Sequence, residues 1–188
     1  LYSESTALNA EIFMEIKDDV IVNKKVGDFY KVGSSIISYG SKVFHTHLNH
    51  NPPSCQDFTI GLIGTVLKNT QFNGVIGREK IFKYTYHQGL LDEAKMIMFG
   101  FYDEKSQIEN KIPTRMRTIS YVVKNRYYKS WLDRVSFTDA KDSEKSTWVD
   151  NFNHRIVQIN KAYMVSKNDD MYIKHLFTVG IIMEVTLK

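Results

Sequence analysis

Residues 41–71 constrain the fold of this 188-residue chain more than any other segment. They begin as a strand-like run that carries His45 and His47, and an Asn-His-Asn-Pro-Pro loop follows. Proline excludes regular structure around it, so the strand has to end there. Ser54 is a favourable helix N-cap, and apolar residues recur at helical spacing after it. The segment therefore predicts a strand, a loop and a helix in immediate succession.

The two histidines and an aspartate of this segment form a candidate metal site. In an extended strand, side chains at i and i+2 point to the same side, so His45 and His47 face one point. Asp57 lies one turn into the helix, from which its carboxylate can turn back toward that point. Two imidazoles and one carboxylate, with a fourth position left for water, are typical of a catalytic zinc site.

The remaining chain predicts an α/β protein of the α+β type with one hydrophobic core. The helix that begins near Ser54 is expected to reach about residue 71 and to end at Asn73-Gly74. Polar residues 139–146 predict a loop. Residues 1–10 are expected to form the end of a helix, and further helices are expected at 90–101 and at 148–163. Strands are expected at 11–16, 20–22, 29–32, 36–38, 43–46, 74–77, 81–86, 171–179 and 181–187.

The motif His45-x-His47 followed by Pro-Pro-Ser54-x-x-Asp57 resembles the JAMM signature of MPN/JAB-domain metallopeptidases. That signature has a Glu on an early strand, then His-x-His, about seven residues, and Ser-x-x-Asp. Here Leu48 stands where the family has Pro, and six residues instead of seven separate His47 from Ser54. The order of predicted elements over residues 5–105 is also similar to that of the family.

The resemblance implies a curved mixed sheet flanked by helices. Residues 1–105 would form the JAMM/MPN-like catalytic core. Residues 106–188 would be a C-terminal extension, basic and aromatic in its first part, that packs on the core or completes it.

The resemblance also implies an activity, the zinc-dependent cleavage of a peptide or isopeptide bond after ubiquitin or a ubiquitin-like protein. One zinc ion would be bound by His45, His47 and Asp57. Ser54 would donate a hydrogen bond to the oxygen of the tetrahedral intermediate. A protein substrate of this class is the expected partner.

A glutamate upstream of the histidines would act as the general base. Glu11 is preferred, because it begins the predicted strand. Glu15 lies on the same face four residues later and is the alternative, and Glu4 is a distant third.

The same histidines allow a second interpretation. His-Thr-His-Leu-Asn-His (45–50) resembles the His-x-His-x-Asp-His box of metallo-β-lactamase-fold hydrolases, with Asn49 at the Asp position. That fold needs further histidines downstream, for which the chain offers His87, His154 and His175.

Residues 111–134 are basic and rich in aromatic residues. Seven Lys or Arg residues stand against the single acidic residue Asp133, which gives a local charge of +6. Such a segment favours nucleic acid or an acidic protein as partner, unless it is a solvated face. A non-catalytic scaffold that binds such a partner is therefore the alternative function. The cations concerned include Lys111, Arg115, Arg117, Lys124, Arg126 and Lys129.

The environment of the protein is expected to be intracellular, and the cytoplasm is favoured. The single cysteine, Cys55, is compatible with a reducing compartment and is expected to pack rather than to react. Because no apolar run approaches about 20 residues, the sequence predicts no membrane partner.

Overall fold

The computed structural model describes residues 1–28, 37–49, 51–99 and 142–188. The predicted strand at 29–32, residue 36 and the basic segment 111–134 lie outside these ranges. The helices of the described ranges are α1 (Tyr2–Leu8), α2 (Cys55–Lys68), α3 (Gln88–Phe99), α4 (Asp142–Ser166) and α5 (Asp169–Phe177). The strands are β1 (Ile12–Lys17), β2 (Val20–Val26), β3 (Lys42–Thr46), β4 (Phe72–Ile76), β5 (Lys80–Tyr86) and β6 (Ile181–Leu187).

The strands form one mixed sheet in the order β2-β1-β3-β4-β5-β6. All neighbours are antiparallel except β3 and β4, which are parallel. A parallel pair requires a crossover connection, and α2 supplies it. The predicted class, a mixed α/β protein of the α+β type, is confirmed. The parallel pair also positions the candidate site, because β3 ends at the histidines and α2 starts just beyond them.

The core lies between the sheet, α2 and the C-terminal helices. Phe58 and Leu62 of α2, Val75 and Phe82 of the sheet, and Ile156 of α4 are all buried in one apolar cluster. Burial of such side chains contributes about 1.5–3 kcal/mol each before entropy is considered. The cluster therefore fixes α2 on the sheet, and with it the helix end that faces β3.

Several predicted elements are confirmed within two residues, namely β1, β3, the β4–β5 hairpin, α3 and β6, and β2 begins at Val20 as predicted. The predicted helix at 148–163 lies inside the longer α4. The predicted end of α2 at Asn73-Gly74 is wrong. The helix ends at Lys68, where Asn69 adopts a left-handed conformation with φ 50°. Asn73 and Gly74 instead lie in β4. Residues 37 and 38, the described part of the predicted strand at 36–38, belong to no strand.

Two predictions in the C-terminal part are also wrong. The predicted strand at 171–179 is mostly helix α5, in which the buried Tyr172 and Leu176 stand four residues apart. Asn168 caps this helix, because its side chain accepts a hydrogen bond from the backbone N–H of Met171 at 3.0 Å. The predicted loop at 139–146 is helical from Asp142 onward. None of the helices in the described ranges has the length and apolar character that crossing a membrane requires.

A three-residue polar cluster joins β5 to the C-terminal helices. The ammonium of Lys80 lies 2.7 Å from Asp169 Oδ1, and the Tyr163 hydroxyl donates to the same oxygen at 2.8 Å. Burial alone would raise the pKa of Asp169, but the hydrogen bonds from Lys80 and Tyr163 and the charge of Lys80 hold it below its usual value. The cluster therefore favours the ionised carboxylate in the folded chain.

This cluster predicts a pH-dependent difference in stability between the native chain and Asp169→Asn. A carboxyl whose pKa is lowered by folding stabilises the fold above its unfolded pKa of about 3.9 and loses that contribution as pH falls through the folded pKa. We expect urea denaturation to show a less stable variant at pH 7 and a difference that shrinks as the pH falls below about 4. A difference that stays constant over this range would contradict the account.

Candidate metal centre

The pairing of β3 with its neighbours sets the direction of both histidines. His45 is opposite Phe13 on β1 and Val75 on β4. The backbone N–H of His47, just after β3, donates to the carbonyl of Ile76 at 3.1 Å. Both imidazoles therefore project from backbone that is hydrogen-bonded to neighbouring strands.

Thr46, between the two histidines, points to the opposite side and is fully buried there. Its Oγ1 accepts the backbone N–H of Ile12 at 2.8 Å and shares a 2.7 Å hydrogen bond with the hydroxyl of Ser5. These bonds fix the end of β3 on the sheet face opposite to the histidines, so the backbone that carries both imidazoles is held rigidly.

The three predicted ligands converge. His45 Nε2 lies 3.0 Å from His47 Nε2 and 3.1 Å from Asp57 Oδ1, and His47 Nε2 lies 3.3 Å from Asp57 Oδ2. Tetrahedral zinc with bonds of about 2.0–2.1 Å spaces its ligand atoms roughly 3.3 Å apart. Each of these three contacts is thus within a few tenths of an ångström of that spacing, with the two contacts of Asp57 made through different carboxylate oxygens, and the residue types of the donor set fit this ion.

The carboxylate of Asp57 is oriented by a capping box at the start of α2. The backbone N–H of Ser54 donates to Asp57 Oδ2 at 2.6 Å, and the backbone N–H of Asp57 donates to Ser54 Oγ at 3.2 Å. The hydroxyl of Tyr84 donates to the backbone carbonyl of Asp57 at 3.1 Å. The predicted N-cap role of Ser54 is confirmed, and the same bonds aim Asp57 at the histidines.

The other ring nitrogen of His47 is also engaged. Its Nδ1–H donates to the backbone carbonyl of Asn51 at 3.2 Å. A histidine that ligates through Nε2 usually donates Nδ1–H in this way, because the bond fixes the tautomer and the ring orientation. The loop between His47 and Ser54 therefore supplies an outer partner for one ligand.

The electrostatics of the cluster favour an ionised Asp57. Burial alone would raise the pKa of this carboxyl, but the charges and hydrogen bonds of His45 and His47 hold it well below its usual value. Burial likewise acts to lower the pKa of His47. The hydrogen bond and charge of Asp57, the charge of Glu11 and the hydrogen bond to Asn51 together outweigh burial, so this pKa is raised. A carboxylate that two imidazoles stabilise in its ionised form is chemically prepared to bind a cation.

Glu11 lies beside this cluster. It directly precedes β1, one residue before the observed start of the strand, and its side chain is buried. Continuing the register in which Phe13 is opposite His45 places Glu11 opposite His47. Its pKa is raised by burial, opposed by the charges of His47 and His45, and raised further by Asp57. A buried carboxyl with a raised pKa next to three candidate ligands has the properties of a general base.

The two other glutamates are engaged elsewhere. Glu15 is 1% exposed and opposite Val43, and its Oε1 accepts the backbone N–H of Ser38 at 2.6 Å. Glu15 follows Glu11 by four residues, so the two positions are about 13 Å apart along the strand. Glu4 forms an ion pair with Lys24 at 2.7 Å on the surface. Glu11 is therefore the glutamate that the structure brings to the cluster.

The residues that a metallo-β-lactamase arrangement would need are dispersed. Among the described residues, the group of His45, His47 and Asp57 is the one cluster of three potential ligands. The candidate downstream histidines are exposed and lie outside this cluster, and residue 50 is outside the described ranges. These histidines are His87, His154 and His175.

Cys55 adds no ligand to the cluster. Burial raises the pKa of its thiol, and its Sγ–H donates to the backbone carbonyl of Asn153 at 3.6 Å. A protonated, hydrogen-bonded thiol is a packing group and not a nucleophile.

Sequence reasoning missed the groups around the ligands. Tyr84 of β5 contacts Asp57, the carbonyl of Asn51 contacts His47 from the loop between the ligands, and Asn160 of α4 donates to the Pro53 carbonyl at 2.8 Å. The alternation along β5 predicts that Tyr84 faces the core. Nothing in the local pattern indicates the acceptor that its hydroxyl finds.

No protein-family model, curated protein or solved structure matches this chain. The resemblance to JAMM metallopeptidases therefore stays a hypothesis, and the function has to be inferred from the geometry of the site.

Proposed function

We propose that this protein is a zinc-dependent hydrolase that cleaves a peptide or isopeptide bond, similar in chemistry to JAMM-type deubiquitinases. The observation that carries the proposal is the convergence of two imidazoles and a capped carboxylate at 3.0–3.3 Å, with the buried Glu11 beside them. Three protein ligands with one open position are typical of catalytic zinc. A closed structural site would need a fourth protein ligand, and the residues that the structure describes contribute three to this cluster.

Each residue of the site has a role in this chemistry. A zinc ion held by His45, His47 and Asp57 would supply Lewis acidity and lower the pKa of water to about 7. Glu11 takes the proton of the attacking water and returns it to the leaving amine. Its burial suits both steps, because a carboxyl with a raised pKa accepts a proton more readily at neutral pH.

Ser54 stabilises the developing oxyanion. Its Oγ accepts the backbone N–H of Asp57, so its hydroxyl hydrogen is available for donation. Ser54 is exposed at the first turn of α2, where the helix dipole also favours negative charge. A donor of this kind typically contributes about 2.7–4 kcal/mol of transition-state stabilisation.

The alternative of a non-catalytic scaffold rests on the basic segment 111–134, which lies outside the described ranges. Burying a carboxyl costs stability, and a scaffold gains nothing from such a group beside a ligand cluster. Glu11 therefore favours the enzyme.

The proposal is tested by metal-dependent cleavage. Purified protein is given one equivalent of zinc and incubated with ubiquitin and ubiquitin-like proteins carrying C-terminal peptide or lysine isopeptide extensions, and mass spectrometry detects the products. We expect cleavage directly after the ubiquitin-like domain, loss of cleavage after chelation, and recovery when zinc is added back. Circular dichroism confirms that the chelated protein stays folded. Cleavage that persists in excess chelator, or an absence of cleavage over the whole panel, would contradict the proposal.

A further inference from the structure

The C-terminal helices contact the loop that leads to the ligand helix. On α4, the Asn160 side-chain amide donates to the carbonyl of Pro53 at 2.8 Å. On α5, the hydroxyl of Tyr172 donates to Asn160 Oδ1 at 2.8 Å. Pro53 and Tyr172 are both fully buried. A continuous hydrogen-bonded relay therefore runs from α5 through α4 to the residue just before Ser54.

A second set of contacts joins α4 directly to α2. Asn153 lies seven residues before Asn160, about two helical turns, and thus on the same face of α4. Its Oδ1 lies 3.3 Å from the hydroxyl of Thr59, which also donates to the Cys55 carbonyl at 2.9 Å, and its backbone carbonyl accepts the thiol of Cys55 at 3.6 Å. The start of α2 is therefore held against α4 at Asn153, and the loop residue before its N-cap is held at Asn160.

The hydrogen bonds of Asn160 are linked to the candidate ligand Asp57 through one rigid peptide group. The carbonyl of Pro53 and the N–H of Ser54 belong to the same planar peptide group. Asn160 holds the oxygen of this group, and the N–H at its other end donates to Asp57 Oδ2 at 2.6 Å. Any rotation of the peptide plane moves both bonds together. The orientation of the Asp57 carboxylate is thus coupled to the position of Asn160.

We propose that Asn160, oriented by Tyr172, is a positioning residue for the metal ligand Asp57, so that α4 and α5 set the metal affinity of a site formed by β3 and α2. The inference rests on the proposed function, because it assumes that Asp57 binds zinc. Outer partners that orient a ligand typically contribute a factor of about 10–100 to metal affinity.

Zinc affinity of four full-length variants tests the inference. Asn160→Ala removes both bonds of the relay, and Asn160→Asp keeps an acceptor for Tyr172 but lacks the amide donor to Pro53. Tyr172→Phe removes only the outer hydroxyl. Tyr163→Phe is the matched control, because Tyr163 stacks on Tyr172 but its hydroxyl bonds Asp169 and Lys80.

We expect competition with a chromophoric chelator to show zinc dissociation constants raised about 10–100-fold in both Asn160 variants. Tyr172→Phe raises the constant by a smaller factor, and Tyr163→Phe leaves it unchanged. The visible absorption of the Co(II)-loaded Asn160 variants also changes, because it reports the ligand geometry. Thermal unfolding of the metal-free proteins separates this effect from a general loss of stability.

The inference is overturned if Asn160→Asp binds zinc as tightly as the native chain with an unchanged Co(II) spectrum, or if Tyr163→Phe weakens binding as much as Tyr172→Phe. Either result leaves the hydrolase proposal intact. A native chain that binds no zinc overturns the metal site and the positioning role together. A native chain that binds zinc and cleaves no substrate overturns only the hydrolase.

Discussion

Glu11→Gln lowers kcat by about 10²–10⁴-fold and leaves zinc bound, if Glu11 is the general base. Glutamine has nearly the same shape, so the packing of this buried side chain is preserved. It cannot accept a proton from water, and the step that Glu11 would assist is lost. Because Glu11 is outside the cluster of three ligands, the zinc content should stay at one equivalent. Steady-state kinetics and metal analysis on the same preparation check both expectations.

Glu15→Gln is the matched control for this experiment. Glu15 is also buried and lies on the same strand face, and a glutamine oxygen can still accept the backbone N–H of Ser38. We expect this variant to retain kcat within a small factor. Equal losses of kcat in the two variants, or a fully active Glu11→Gln, would show that the general base has been misassigned.

His47→Ala is expected to abolish zinc binding at micromolar concentrations and hydrolysis with it. Structural zinc sites bind the ion with a free energy of about 10–16 kcal/mol, so each of four ligands contributes roughly 3–4 kcal/mol. Loss of one ligand then lowers the affinity for zinc by a factor of about 10²–10³. The variant also loses the hydrogen bond to the Asn51 carbonyl and one of the imidazoles that stabilise ionised Asp57. Isothermal titration with zinc measures the change directly.

His154→Ala serves as the comparison, because His154 is exposed on α4 and outside the ligand cluster. Its zinc affinity and activity should equal those of the native chain. Zinc binding that survives His47→Ala, or that falls equally in both variants, would mean that the ion is held elsewhere.

The ligand cluster could be predicted from the sequence because each of its constraints is local. The i and i+2 spacing puts His45 and His47 on one strand face, and Ser54 marks the helix start that places Asp57. Covalent proximity brings the two parts together, since only six residues separate His47 from Ser54. The fold class followed in the same way from local periodicity.

The choice of general base could not be derived locally. Alternation puts Glu11 and Glu15 on the same strand face, so the pattern of β1 alone does not distinguish them. The antiparallel register with β3 decides it, because Glu15 is opposite Val43 and Glu11 is opposite the position of His47. Register depends on contacts between strands about 30 residues apart in sequence.

The C-terminal elements show a second limit. The segment that forms α5 contains enough apolar residues to be consistent with a strand. The four-residue spacing of Tyr172 and Leu176 favours a helix only when α4 and β6 are folded beside this segment. The bond between Asn160 and Pro53 joins residues 107 positions apart. No local rule indicates a contact of that range.

Diffraction at the zinc absorption edge, from crystals of the native chain soaked in zinc, tests the central claim most directly. The account predicts one anomalous peak bonded to His45 Nε2 and His47 Nε2 at about 2.0–2.1 Å and to a carboxylate oxygen of Asp57 at about 2.0–2.2 Å, with a fourth position open to solvent. No peak at this site under saturating zinc, or a peak ligated by other residues, would contradict it.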